Sequence, residues 1–544
     1  MPSATETPNL ERTLLQKTDR YLLPLLSLLF LLNSLDRSNI GNAESGGFSR
    51  DTGIPPSAIN TSVSYFFAVF VLFQPLGAAL GRRYGARRWI PFVMVGWGIG
   101  TLLMVWVRTA GQLIAVRTMI GLLEAGFYPT AVGYLSTFYT RYEFGQRLAL
   151  FYGQYAVAGA VGGALSSMVF WIWPPTEAGS RTEGWKAWEI LFVVQGLGTL
   201  ITAGVAAWWL PKGPGDAWWL TGVEQELAQD RVEKDRTIDG QDLTDTADPE
   251  TPDDDNHDRE EDGLISSSSN RRSIETKAPP LTKEDILETL IDWKIYWILF
   301  VNILSSLPTI AFSIFLPLVL HGLSPKSSPA FTNLLAVPPF ILGAIVLYLT
   351  TLRSDRDKQR LRYVLFALTL TLVGLFSTWV LTLSAVATGS TLIQFLRYLA
   401  LCILLSGSFT ASPLTVAWLS SNITSPSKRT LALGINGWGN FAGVLAPVIF
   451  DPKYAPDYSY PFAVTMVLVG VATVGYAGFW KVLLEENRWR VRVVETWRRS
   501  SEWEEERERR EGDGRVPKSL RKGWWWEGTG VRVGERRLVA RYGY

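Results

Sequence analysis

The chain has 544 residues, 47% of them hydrophobic and 19% charged, with 48 glycines, 23 tryptophans and a formal net charge of +2. Its charges sit in a few blocks separated by nearly charge-free runs of about 20 residues, a distribution that excludes a soluble enzyme. The near-neutral total is a cancellation: residues 222–262 hold 17 acidic and 4 basic side chains, so the rest of the chain carries about +15.

One cysteine, Cys402, excludes an intrachain disulfide, and with two histidines, His257 and His321, it does not make a zinc site. No metal and no cofactor is expected. The first apolar run follows a polar stretch, Met1–Arg20, and has no small-residue cleavage site after it, so it reads as a retained span that also directs insertion.

Apolar windows follow at 20–41, 60–80, 89–107, 111–139, 146–171, 187–210, 293–320, 330–350, 361–384, 390–420, 430–450 and 460–483. They predict an all-α membrane protein with twelve transmembrane helices in two pseudo-symmetric six-helix bundles, 20–210 and 291–484. A cytoplasmic tail at 1–19, an acidic, largely disordered linker at 211–290 and a cytoplasmic tail at 485–544 complete the division. The linker is interrupted by Pro and Gly and carries Ser266–Ser269 near Arg271 and Arg272, which reads as a solvated spacer. The tail mixes Arg/Glu blocks with Trp524, Trp525 and Trp526.

Orientation follows from the positive residues of the short loops. The loops after spans 2, 4, 8 and 10 hold thirteen Lys and Arg, against six in the opposite loops. Both termini are therefore assigned to the cytoplasm of a multi-pass protein, with the plasma membrane as the expected location.

An internal repeat supports the two halves. Pro129 to Ser136 (PTAVGYLS) in span 4 matches Pro413 to Ser420 (PLTVAWLS) in span 10 at an offset of 284 residues, and the same offset relates Ala158-Gly159 to Ala442-Gly443. Upstream, Arg117 lies twelve residues before its proline and Arg397 sixteen before its own, about one helical turn different.

Ionisable residues inside spans are the sharpest signal, because a charge in hydrocarbon costs at least about 2.5 kcal/mol and survives by facing a cavity or a partner. Span 1 carries Asp36 and Arg37 before a polar break; span 4 carries Arg117 and Glu124, seven residues and about 10 Å apart on one face. Span 10 carries Arg397. Guanidinium groups suit a carboxylated substrate, since they offer a planar, permanently charged, two-point contact. Import of an anion against a negative-inside potential opposes roughly 2.3 kcal/mol per charge per 100 mV and needs a coupled cation. No histidine is central, so Asp36 and Glu124 are the proton-coupling candidates, their occupancy depending on whether substrate neutralises the arginines. The substrate-binding candidates are Arg37, Arg117, Gln154, Arg397, Asn436 and Asn440. Static ion pairs, Arg117 with Glu124 or Asp36 with Arg37, are the structural alternative, and the amides also fit as interhelical glue. The motifs Asn60-Thr-Ser62 and Asn422-Ile-Thr424 fit the glycosylation pattern, but the first abuts the membrane and the second lies inside. In loop 2–3, Arg82, Arg83, Gly85, Arg87 and Arg88 form a basic glycine turn whose pseudo-repeat, Ser354-Asp355-Arg356, supplies Asp355 and Arg356. These positions are the gating candidates.

Together these residues resemble the major facilitator superfamily, over about residues 20–485 without the linker. Leu35 to Ala43, Gly121 to Pro129, Tyr134 to Ser136, Phe315 to Pro317, Asn333 to Pro339, Ser354 to Arg356 and Ala417 to Asn422 are similar to its anion:cation symporter family, in the fungal branch of allantoate, nicotinate and vitamin permeases. The resemblance implies proton-coupled import of a small organic anion, with coupling and binding elements at Asp36, Arg37, Arg117 and Glu124, and a substrate-contacting amide at Gln154. Two departures stand out: Arg82 replaces the superfamily's loop 2–3 aspartate, and Gln195 stands where many relatives have glutamate. The expected function is secondary active transport by alternating access, with no enzyme activity implied. The alternatives are a proton-coupled drug or metabolite exporter and a non-transporting nutrient sensor. The expected partners are a small organic anion, protons and the lipid bilayer, without nucleic acid and with the monomer as working unit.

Overall fold

The computed structural model of the chain describes residues 7–175, 184–232, 287, 289–323, 327–357, 359–388, 390–423 and 426–498. Linker residues 233–286, with His257 and Ser266–Ser269, lie outside it, as do Lys358 and the tail from 499 onward with its three tryptophans. Among the described residues all regular structure is helical. In chain order the helices are α1 (Thr7–Tyr21), α2 (Leu23–Ser45), α3 (Phe48–Thr52), α4 (Pro56–Tyr84), α5 (Ala86–Leu103), α6 (Ala110–Glu124), α7 (Phe127–Leu135), α8 (Arg141–Ile172) and α9 (Ala187–Trp209). The second half holds α10 (Trp293–Leu323), α11 (Pro329–Leu335), α12 (Val337–Asp357), α13 (Arg360–Thr388), α14 (Thr391–Ser408), α15 (Ala411–Asn422), α16 (Pro426–Asn436), α17 (Ala442–Ile449) and α18 (Ser459–Arg498).

Every apolar window is occupied by helix. Spans 1 to 12 are α2, α4, α5, α6–α7, α8, α9, α10, α11–α12, α13, α14–α15, α16–α17 and α18. Among the described residues ten helices are long and apolar enough to cross a membrane. The two windows outside that set are spans 1 and 4, which carry the buried Asp36, Arg37, Arg117 and Glu124.

Proline sets where the broken spans break. It has no N–H to offer the carbonyl four residues upstream, so Pro129 frees residue 125 and Pro413 frees residue 409. The interruptions fall there, between α6 and α7 and between α14 and α15. They repeat the 284-residue offset in three dimensions. In span 8, Pro339 frees the Leu335 carbonyl at the α11–α12 junction, and the Tyr398 hydroxyl donates to that oxygen at 3.1 Å. Span 11 passes through a 3-10 turn at Gly437–Phe441, which the single apolar window did not reveal. Gly85, at φ +80°, makes the tight turn between α4 and α5.

The first six spans pack on one another, as do the last six, and the halves meet through α2 with α10, α4 with α17 and α8 with α12. Spans 2 with 11 and 5 with 8 are pairs that the repeat exchanges. Gly41 of α2 lies against the Ile314 carbonyl of α10, where any Cβ would strike backbone. At the end of the molecule opposite α1, Asn60 donates to the carbonyls of Pro447 (2.7 Å) and Phe450 (2.9 Å). Nearby, Ser64 donates to the Val444 carbonyl and Ser45 to Asn333. The halves are thus joined at that end, and the amide of the Asn60 sequon is buried in the joint.

Two boundaries differ from expectation. Residues 211–232 belong to the folded first half: Trp219, Leu220, Ala228 and Val232 are buried, residues 222–232 are helical, and Lys17 of α1 pairs with Glu224 at 2.7 Å. Asp19 of α1 accepts from Arg147 through two bonds of 2.6 Å and from the Tyr139 hydroxyl at 2.8 Å. An acidic average over 211–290 hid this apolar, anchored beginning. At the other end, α18 continues to Arg498, because its charged extension is a good helix former and carries a Glu486–Arg490 pair one turn apart at 2.7 Å.

Candidate functional site

Helical geometry divides the polar residues of α2. Asn33 and Arg37 are one turn apart and share a face, while Asp36 points about 100° away. Arg37 faces α6 and α4: its Nε donates to Glu124 Oε2 at 3.0 Å, its Nη2 to Asn33 Oδ1 at 3.1 Å, and its guanidinium lies 4.4 Å from the centre of the Phe70 ring. Asp36 faces α5, where the Thr101 hydroxyl lies 2.9 and 2.7 Å from its two oxygens. Arg117 enters from α6. Its Nη1 donates to the Asp36 backbone carbonyl at 3.3 Å and its guanidinium sits 4.9 Å from the Phe66 ring centre.

All four charged side chains are buried, Glu124 at 0% exposure and Arg117 at 1%. Polar capacity is left over: Arg117 Nε and Nη2, which form one edge of its guanidinium, have no partner, nor does Glu124 Oε1. Two arginines against two carboxylates give the cluster a formal charge of zero. A structure that kept these charges only as static braces would match each donor to an acceptor, because unmatched polar groups in hydrocarbon are costly. The Nε/Nη2 edge of Arg117 is the geometry that a carboxylate accepts in a two-point contact.

Neither sequence-adjacent pairing forms. Asp36 does not bridge to Arg37, nor Arg117 to Glu124; the ion pair runs from Arg37 of span 1 to Glu124 of span 4. Sequence reasoning missed Thr101, a single hydroxyl in an apolar run with no signal to mark it. It also missed Asn33, which the four-residue spacing from Arg37 would have found.

The other candidates lie elsewhere. Gln154 donates to the Leu150 carbonyl of its own helix and shares a helix face with exposed Leu150, Val161 and Met168, so it stands apart from the cluster. Arg397 is buried in the second half with its Nε unpartnered and interacts with Asp457, in the loop before α18. Asn436 accepts from Asn302 of α10 at 3.4 Å, and Asn302 accepts from Ser306 at 3.3 Å, an amide knot at the root of the span 11 turn. Asn440 donates to the Gly437 carbonyl within that turn. At the end that carries α1, Arg82, Arg83, Arg87 and Arg88 flank Gly85 and are exposed, with Arg83 over Tyr84. In the corresponding loop of the second half Asp355 bridges to Arg360 at 3.5 Å, and Arg356 is exposed.

The sequence pattern of the Major Facilitator Superfamily matches residues 26–447. The chain is 30% identical over 489 residues to the MFS-type transporter efuF of Hormonema carpetanum, covering 90% of this chain and 88% of that protein. It is 29% identical over 455 residues to a high-affinity nicotinic acid transporter of Saccharomyces cerevisiae, covering 82% of this chain and 73% of that protein. Among solved structures it resembles the proton:xylose symporter XylE bound to 6-bromo-6-deoxy-D-glucose, with a TM-score of 0.59 and 13% identity over 85% of this chain and 96% of that one. That likeness concerns the fold.

Proposed function

The chain belongs to the Major Facilitator Superfamily and is a multi-pass membrane transporter, and from that premise we propose that it imports a small organic anion together with protons. The observation that carries this reading is the neutral buried quartet of Asp36, Arg37, Arg117 and Glu124. An entering carboxylate adds one negative charge to a site that balances without it. One proton restores neutrality, so anion and proton enter as a pair.

In this reading Arg37 and Arg117 receive the carboxylate and Asp36 and Glu124 carry the proton. Substrate at Arg37 competes with Glu124 Oε2 for the same guanidinium, and Glu124, released from its pair, becomes the acceptor. The halves 20–210 and 291–484 then rock about the midplane, the joint at Asn60 opening when the opposite end closes. The excess of arginine in the loops after spans 2, 4, 8 and 10 supports a cytoplasmic location for both termini. The nicotinic acid transporter among the relatives supports a carboxylate cargo; membership of the anion:cation symporter branch and a plasma-membrane location are part of the same proposal.

The test is uptake of labelled nicotinate, pantothenate, biotin, allantoate and tartrate, beside a cationic drug, in cells lacking their own permeases, at pH 5 and pH 7.5. Accumulation of an acid, greater at pH 5 and collapsed by a protonophore, is the expected result. Loss of cell content of the cation would overturn the reading in favour of export.

A further inference from the structure

Three tyrosines are left unused by the charge cluster. Tyr128 of α7 and Tyr152 and Tyr155 of α8 are half-buried although helices of both halves surround them, so their rings border the space between the halves. Two of them reach across to the second half. The Tyr155 hydroxyl lies 3.1 Å from Ser313 of α10, and Tyr152, whose ring meets that of Tyr128, stands near Ser412 of α15. Phe30, two turns before Arg37 on the same face of α2, lies 5.8 Å from Tyr128 and 6.0 Å from Tyr152, so the rings stand along the helix face that carries the guanidinium.

Behind the tyrosines the wall is aromatic. Tyr128 and Tyr152 meet edge to face at 5.4 Å, Phe30 lies 5.8 Å from Tyr128, and Tyr155 packs at 5.9 Å on Phe409. Ring faces and edges at these separations favour a flat π-system over a saturated one of the same size. A polyhydroxylated acid would need a hydrogen-bond partner for each hydroxyl, and the amide on this helix, Gln154, is turned to its own backbone.

We propose that Tyr128, Tyr152 and Tyr155, with Ser313 and Ser412, seat a flat aromatic ring that bears one carboxylate directed at Arg37. The inference rests on the organic-anion reading and narrows it to planar aromatic monocarboxylates. The Tyr155–Ser313 contact crosses between the halves, so a ring seated there replaces a contact that holds the halves together and couples the cargo to movement.

The test compares benzoate and nicotinate with cyclohexanecarboxylate, which has the size and charge of benzoate without its π-system, and with gluconate. Binding is read as thermal stabilisation of the purified full chain, and uptake is read separately in cells. The aromatic acids are expected to bind about two- to tenfold more tightly than cyclohexanecarboxylate, the range of a favourable ring pair. Tyr155→Phe should keep that preference and Tyr155→Leu should erase it, while both retain a carboxylate response. Equal or tighter binding of cyclohexanecarboxylate or gluconate would overturn the aromatic seat and leave the anion reading standing. Aromatic preference in binding without uptake would support the seat and overturn the transport direction. No response to any acid would overturn both.

Discussion

Arg37 and Glu124 stand 87 residues apart in the chain and meet at 3.0 Å, while the other carboxylate oxygen of Glu124 has no partner. Each of them also has a charged companion on its own helix, Asp36 beside Arg37 and Arg117 two turns before Glu124, with which it does not pair. The site is therefore assembled between helices of the first half, and the pairing is set by how spans 1 and 4 pack.

Glu124→Gln keeps the side-chain shape and removes the carboxylate. Acid-driven accumulation of the substrate should fall to the level of equilibration, while counterflow exchange persists because Arg37 and Arg117 still receive the carboxylate. Parallel assays of net uptake and exchange check this, and loss of both would remove Glu124 from the role of proton carrier.

Removing one partner of a buried pair costs about 3–5 kcal/mol, because the other charge is stranded. Arg37→Ala should accordingly lower the melting temperature of the purified protein more than Arg37→Ala combined with Glu124→Ala, despite the larger excision. A double variant less stable than the single one would show that Arg37 matters for packing alone.

Arg117→Lys preserves charge but forfeits the unpartnered Nε/Nη2 edge. Apparent substrate affinity should weaken by about tenfold, the value of one lost charge-assisted hydrogen bond. Unchanged affinity would assign Arg117 to the support of Asp36.

Asn60 satisfies two carbonyls at the end of span 11 from a single amide. Asn60→Ala should disfavour the closed end by about 1–3 kcal/mol. Spin labels at Thr61→Cys and Tyr460→Cys, in a Cys402→Ser background, should report a longer distance and a larger open population. An unchanged distance distribution would show that the joint is held by packing.

At the opposite end, burial pushes the Glu224 carboxyl up, but bonds from Lys17 and Thr221 outweigh it and hold the group below its ordinary value of 4.5. A depressed carboxylate stabilises the folded form above the unfolded value and loses that contribution as pH falls through the folded one. Docking of α1 should thus be intact at neutral pH and loosen below about pH 4.5. Proteolysis rates at the N-terminal helix, measured from pH 6 to pH 3, should rise in that window, and Glu224→Gln should flatten the profile.

Read alone, the sequence determined the helical class, the position of each apolar window, the repeat and the four ionisable residues of the cluster. These are properties of composition and period: hydrocarbon admits helices whose backbone is satisfied internally, and a charge within one is conspicuous whatever surrounds it. Tertiary structure alone decided the pairing. Periodicity says which residues of one helix share a face, but the rotation of that helix against its neighbours is set by packing. That rotation joins Arg37 to Glu124 instead of Asp36, brings Thr101 to Asp36, turns Gln154 to its own backbone and carries Arg397 toward Asp457. The folded start of the 211–290 segment was hidden for the same reason, since what anchors it is Lys17, more than 200 residues earlier.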